Sequence, residues 1–113
     1  MATSIGRKKV RTAVFISGTG SNLKNLIEFS KLKHSPISVD LIVSNNPKSK
    51  GLKYAKIFTI KKKIFDFKKS TLAEKKILKI LKEDQINLIC LAGFMKILSK
   101  EFIQNFKGKI LNI

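Results

Sequence analysis

The chain turns on the stretch Phe15-Ile16-Ser17-Gly18-Thr19-Gly20-Ser21-Asn22-Leu23. An apolar run, Ala13-Val14-Phe15-Ile16, breaks into a small, polar turn punctuated by two glycines. A segment with helical spacing (Leu23, Leu26, Ile27) begins immediately after it. Strand, glycine turn and helix in that order aim backbone N–H groups and the positive end of a helix dipole at one point, a geometry suited to an anion and above all to a phosphate. The turn is not a dinucleotide fingerprint, because Leu23 stands where a third small residue is required, and no Gly-Lys-Ser/Thr follows for a P-loop. What is left is a mononucleotide-type cradle: Gly20 for close approach, Ser21 for a hydroxyl and N-cap, Asn22 for an amide. Physics alone leaves this reading and a bare βα turn both open.

The rest of the chain alternates strand and helix. Val10 to Ile16 and Ile37 to Val43 read as short, largely apolar strands of the kind found where a parallel sheet is covered on both faces. Ser21 to about Lys31 reads as the first helix, ended by Lys33-His34-Ser35-Pro36, and Ser44-Asn45-Asn46-Pro47 is a turn cluster. A weak helix is expected near Lys48 to Lys56 and a brief strand at Ile57 to Ile60. Ser70 to Asp84 carries the strongest helical pattern, with Ala73, Ile77, Ile80 and Leu81 on one side and lysines on the other. Ile86 to Leu91 is a further buried strand, Ser99 to Lys107 a helix stopped by Gly108, and Ile110 to Ile113 a last strand. This order predicts an α/β, doubly wound, mostly parallel Rossmann-like sheet, incomplete at its C-terminal side. Ligands of such sheets bind outside the carboxyl ends of the strands, where Ser17 to Asn22, Ser44 to Pro47, Ala92 to Leu98 and Asn112 collect. Residues 1–9 are expected to be a disordered lead-in and 10–113 the folded part.

The formal net charge is +17, from 24 basic and 7 acidic residues among 113. The excess is mostly lysine spread along the chain, and Phe65 and Phe67 interleave its densest cluster, Lys61-Lys62-Lys63 and Lys68-Lys69. Some single-strand binders share that pattern. With no nucleic-acid motif beside it, a solvated lysine surface is preferred to a nucleic-acid partner. No apolar run approaches the roughly 18 residues of a membrane span, and no secretory signal opens the chain. The single Cys90 excludes an internal disulfide and leaves the redox compartment open, and cytoplasmic location is the default expectation.

The second informative stretch is Leu91-Ala92-Gly93-Phe94-Met95-Lys96-Ile97-Leu98, which puts more apolar side chain into a loop than a loop ordinarily exposes. A helical turn packed on the core is the plainer reading; the alternative is a wall for a flat apolar ligand whose polar edge is read by backbone groups. Cys90 reads as a buried thiol, His34 as a surface histidine, and Glu74, Glu83, Asp84 and Glu101 as helix-surface acids without an acid–base pair.

Taken together, Ile16-Ser17-Gly18-Thr19-Gly20-Ser21-Asn22-Leu23, Val43-Ser44-Asn45, Gly51-Leu52, Leu91 to Leu98 and Leu111-Asn112-Ile113 resemble, in order, the phosphoribosylglycinamide formyltransferases of purine biosynthesis. The resemblance implies formyl transfer from 10-formyltetrahydrofolate, as co-substrate, to the amine of N1-(5-phosphoribosyl)glycinamide. It implies no metal and small-molecule partners. By this likeness Gly20, Ser21 and Asn22 hold the ribonucleotide phosphate. Met95, Lys96, Ile97 and Leu98 line the folate site, with Lys96 in place of the usual Arg. Asn112 matches the catalytic asparagine, which stabilises the oxyanion and also borders the folate. The family's upstream ligand-contacting Arg falls at Ser70, beside Lys69, and that role is not carried over.

In the family the Asn-Ile pair runs directly into a catalytic His, with a catalytic Asp later. These 113 residues contain neither, so the expectation is an N-terminal portion of such an enzyme with negligible transfer activity of its own. An exposed last strand is expected to pair with a complementary C-terminal half or with itself. A non-catalytic phosphoribosyl- or nucleotide-binding module, using the first turn alone, is the alternative function.

Overall fold

The computed structural model describes residues 8–113. Five strands, β1 (Val10–Ile16), β2 (Ile37–Ser44), β3 (Lys61–Ile64), β4 (Leu88–Leu91) and β5 (Lys109–Asn112), form one sheet in the order β3-β2-β1-β4-β5. Every adjacent pair is parallel. Four helices, α1 (Ser21–Ser30), α2 (Lys53–Ile57), α3 (Ser70–Glu83) and α4 (Lys100–Asn105), provide the crossovers. This is the doubly wound arrangement expected from the strand–helix alternation, with the order reversing between β1 and β4.

Alternation along β1 explains its unbroken apolar run. Ala13 and Phe15 point into a layer built with Ile77 and Leu81 of α3 and Phe102 of α4. Val14 and Ile16 point to the other face, against Leu23 and Ile27 of α1 and Ala55 of α2. Both faces are covered, so neither can be polar. The one charged residue inside β2, Asp40, is accommodated by a bulge. Thr12 pairs with Val39 and Ala13 with Leu41, so Asp40 is the extra residue. Its carboxylate accepts hydrogen bonds from Ser38 Oγ and the Thr12 amide and pairs with Arg11 at 3.2 Å.

Several boundaries differ from the sequence expectation, for identifiable reasons. The segment 57–60 is not a strand. Helix α2 ends there in a Schellman motif, with Thr59 N–H bonded to Lys56 O and Ile60 N–H to Ala55 O. Thr59 takes the left-handed conformation, φ 55°. The strand follows instead as Lys61-Lys62-Lys63-Ile64, wholly exposed at the sheet edge, where lysines discourage pairing with another chain. Helix α3 ends the same way: Gln85 has φ 57°, its N–H bonds to Lys82 O, and Ile86 N–H bonds to Leu81 O. Ile86 therefore belongs to the helix cap, and β4 begins only at Leu88. Neither motif contains glycine, and so neither announces itself in the sequence. The weak helix near 48–56 is a 3-10 turn at Lys50–Leu52 running into α2. Glu74, expected on a helix surface, is buried.

The lead-in read over 1–9 falls almost wholly outside the described residues. Lys9 lies within them, and its ammonium donates to the carbonyls of Ser30 and Leu32. Among the described residues β5 is an edge strand with Leu111 and Ile113 about half exposed, and no helix is long and apolar enough to cross a membrane.

A β-branched residue with positive φ is strained by roughly 1–2 kcal/mol. Thr59→Gly is therefore expected to raise stability by about 1 kcal/mol, seen as a higher urea midpoint at unchanged slope. Cys90 is buried among apolar side chains, and burial pushes its thiol above the ordinary range. The native fold thus favours the protonated form, and stability declines as pH rises through the thiol range. The thiol is expected to react with disulfide reagents at neutral pH only on unfolding.

Candidate functional site

The carboxyl ends of β1, β2, β4 and β5 converge on the crevice at which the sheet order reverses, with α1 leaving on one face and α3 on the other. Ser17, directly after β1, is the centre of this region. Its hydroxyl donates to Asn45 Oδ1 after β2 and accepts the Met95 amide, at 2.8 Å, from the loop after β4. One residue on, the Gly18 carbonyl accepts Gly51 N–H at 3.0 Å and Ser49 Oγ at 2.6 Å. The connections after β2 and β4 are thereby both tied to the end of the central strand. The sequence expectation gave Ser17 and Asn45 no role. Their only signal was a hydroxyl and an amide standing directly at strand ends.

The first helix starts differently from expectation. Ser21 is its first residue, and the cap is Gly20, in the left-handed conformation at φ 75°. Gly20 has no side chain to offer, and no side-chain hydrogen bond closes this end. Lys24 N–H is the first to find an intrahelical acceptor, Gly20 O at 2.9 Å. The N–H groups of Ser21, Asn22 and Leu23 precede it, with the positive end of the helix dipole behind them. Ser21 and Asn22 are exposed.

Gly20 also has a packing duty. A Cβ built on it would lie 2.7 Å from Gly51 Cα, and one built on Gly51 would lie 2.9 Å from Gly20 Cα and 2.7 Å from Ile16 Cδ1. The two backbones touch because both residues lack side chains.

The second stretch is an extended loop, not a helical turn on the core. Gly93 takes φ 69°. Phe94 turns inward, its ring edge-on to Phe15 (centroids 5.3 Å apart) and Phe67 (5.4 Å). Met95 and Ile97 then point out, 83% and 92% exposed, with Lys96 exposed between them. Leu98 is buried against α3 and α4 and has only its backbone to present to a ligand. The loop is fixed at its far end by Glu74 of α3, whose carboxylate accepts Ser99 N–H at 2.8 Å and Ser99 Oγ at 2.6 Å. Ser99 caps α4 through Phe102 N–H. The loop thus presents an exposed apolar surface and is pinned at both ends.

Asn112 lies at the end of β5, in register with Leu91 of β4, and Ile113 N–H bonds to Leu91 O at 3.0 Å. It therefore flanks the start of the 92–98 loop, with its side chain exposed. His34 is exposed in the turn after α1, at the other end of the sheet.

Residues 10–113 match the model of the formyl transferase family. The chain belongs to that family. The human trifunctional purine biosynthetic protein adenosine-3 is 40% identical to it over 113 residues, which is 97% of the chain and 11% of that protein. Phosphoribosylglycinamide formyltransferase of Haemophilus influenzae is 37% identical over 106 residues, covering 91% of the chain and 50% of the relative. The crystal structure of the Brucella melitensis phosphoribosylglycinamide formyltransferase superposes with a TM-score of 0.87 at 34% identity, over 93% of this chain and 56% of that one. The chain thus spans about half the length of these single-function relatives.

Ser17→Ala removes an acceptor from the part-buried Met95 amide and a donor from Asn45. It is expected to destabilise the fold by about 1 kcal/mol and to speed hydrogen exchange at Met95 N–H more than at the β1 amides. Unchanged exchange at Met95 would refute the tether.

Proposed function

We propose that this chain carries the ligand-binding side of formyl transfer from 10-formyltetrahydrofolate to N1-(5-phosphoribosyl)glycinamide, in the cytoplasmic synthesis of purines. The observation that carries the reading is the juxtaposition, through Ser17, of an uncapped helix N-terminus and a pinned, exposed apolar loop. One suits a phosphate and the other a flat heterocycle. Membership of the formyl transferase family and the likeness to phosphoribosylglycinamide formyltransferases support the same assignment.

In this reading Gly20 lets the phosphate approach the backbone, the N–H groups of Ser21 and Asn22 bind its oxygens, and the Asn22 amide adds a further donor. Met95 and Ile97 pack against the pterin face, the backbone of 96–98 reads its polar edge, and Lys96 lines the same site. The co-substrate supplies the formyl group. Asn112, at the rim of the same loop, donates its amide N–H to the oxygen that gains negative charge as the substrate amine attacks the formyl carbon. The charge of +17 raises the local concentration of both anionic substrates.

Titration calorimetry with N1-(5-phosphoribosyl)glycinamide is expected to give saturable binding that weakens with salt. Asn22→Ala should lower that affinity about tenfold, in line with loss of a charge-assisted hydrogen bond, and leave affinity for a folate analogue unchanged. Binding no tighter than that of generic nucleotide phosphates would leave a non-catalytic phosphoribosyl- or nucleotide-binding module in its place. Met95→Asp should show the opposite selectivity, losing the folate analogue and keeping the ribonucleotide.

A further inference from the structure

The opposite end of the sheet holds a second concavity that the formyl-transfer reading does not use. A cleft of about 920 Å³ opens at the amino ends of β1 and β2, between the last turns of α3 and the segment joining α4 to β5. Its apolar lining comes from Leu78, Leu81, Ile86 and Phe106, of which the last three are buried core residues. Its rim is cationic: Lys8, Lys9, Arg11, Lys79, Lys82 and Lys107 all border it, and no acidic residue does.

These cations are not equivalent. Lys9 is engaged by the carbonyls of Ser30 and Leu32, and Arg11 by Asp84 O and the Asp40 carboxylate. The carboxylates of Asp40 and Asp84 are engaged as well, by Arg11 and Lys61 respectively. Lys79, Lys82 and Lys107 make no ion pair among the described residues. With Lys8 also outside any ion pair among the described residues and Lys9 meeting only carbonyl oxygens, the rim keeps a large excess of positive charge, and an anion between these groups relieves their repulsion. The polar side chains of Gln85 and Asn87 stand among them as further donors, while the Asn105 amide donates to Glu101 O. In sequence, residues 1–7, Met-Ala-Thr-Ser-Ile-Gly-Arg, carry no acidic side chain.

We propose that this cleft is a second ligand site, for a small organic anion that combines a flat apolar body with two or more negative charges. The body rests on Leu78, the exposed edge of Phe106 and the aliphatic stems of the lining lysines, and the charges meet Lys79, Lys82 and Lys107. A cleft that buries most of a small molecule against apolar side chains, with a few placed polar groups, is the usual form of such sites. The site is independent of the phosphate turn and the 93–98 loop, which lie at the other ends of the same strands.

The aromatic disulfonate bis-ANS, which has both features, tests the assignment by fluorescence titration of the whole chain. One saturable site is expected, weakened at least about tenfold in Lys82→Glu/Lys107→Glu, while Lys62→Glu/Lys63→Glu, with the same change of net charge on the far edge strand, stays within about twofold. The neutral pair Lys82→Gln/Lys107→Gln, confirmed as folded by circular dichroism, should show an intermediate loss. Amide shifts on binding should centre on Leu81, Ile86 and Asn87. Shifts centred on Gly20 or Met95, equal losses in both reversal variants, or no saturable site would each overturn the proposal.

Discussion

The hydroxyl of Ser17 holds the functional end of the sheet together. Parallel strands bring their carboxyl ends to one side, but they leave each following loop free to take its own course. Here a single side chain at the end of β1 bonds to the loop after β2 and to the loop after β4. The adjoining Gly18 carbonyl binds the turn before α2. The phosphate-type turn cannot move without moving the apolar loop. That coupling turns two separately weak features into one site of fixed geometry, because the entropy of ordering the loops is spent in folding and not on ligand binding.

Much of this architecture is legible in the sequence where local and global preferences agree. The apolar run of β1 and the 3.6-residue stripe of α3 are unambiguous because burial on two faces or on one leaves no other pattern. The first turn and the 91–98 loop are equally clear as motifs. What escapes is structure stabilised by backbone conformation or by distant partners. Two Schellman motifs capped by Thr59 and Gln85 carry no glycine to mark them, so Ile60 and Ile86 look like strand residues when each is the apolar residue closing a helix. An edge strand made of Lys61-Lys62-Lys63 has no alternation to detect, because neither face is buried. Glu74 looks like one more surface charge, and only the fold reveals Ser99 waiting for it.

The two edges of the sheet are also unlike each other. At β3 an ammonium stands at three consecutive positions, and Lys61 is held by Asp84 across the sheet end. At β5 the exposed positions include Leu111 and Ile113. Charge protects one edge from further strands, and nothing comparable protects the other. Any strand added to the described sheet is directed to the β5 side, where Asn112 already lies.

The contact between Gly20 and Gly51 has a consequence for how such a site can change over time. Each glycine occupies the space the other's side chain would need, so neither position can vary alone and no pair of larger residues fits both. The cradle is therefore closed to gradual retuning at its deepest point. Variation at this turn is directed to the exposed residues at its rim, Ser21, Asn22 and their neighbours, while the backbone beneath stays the same.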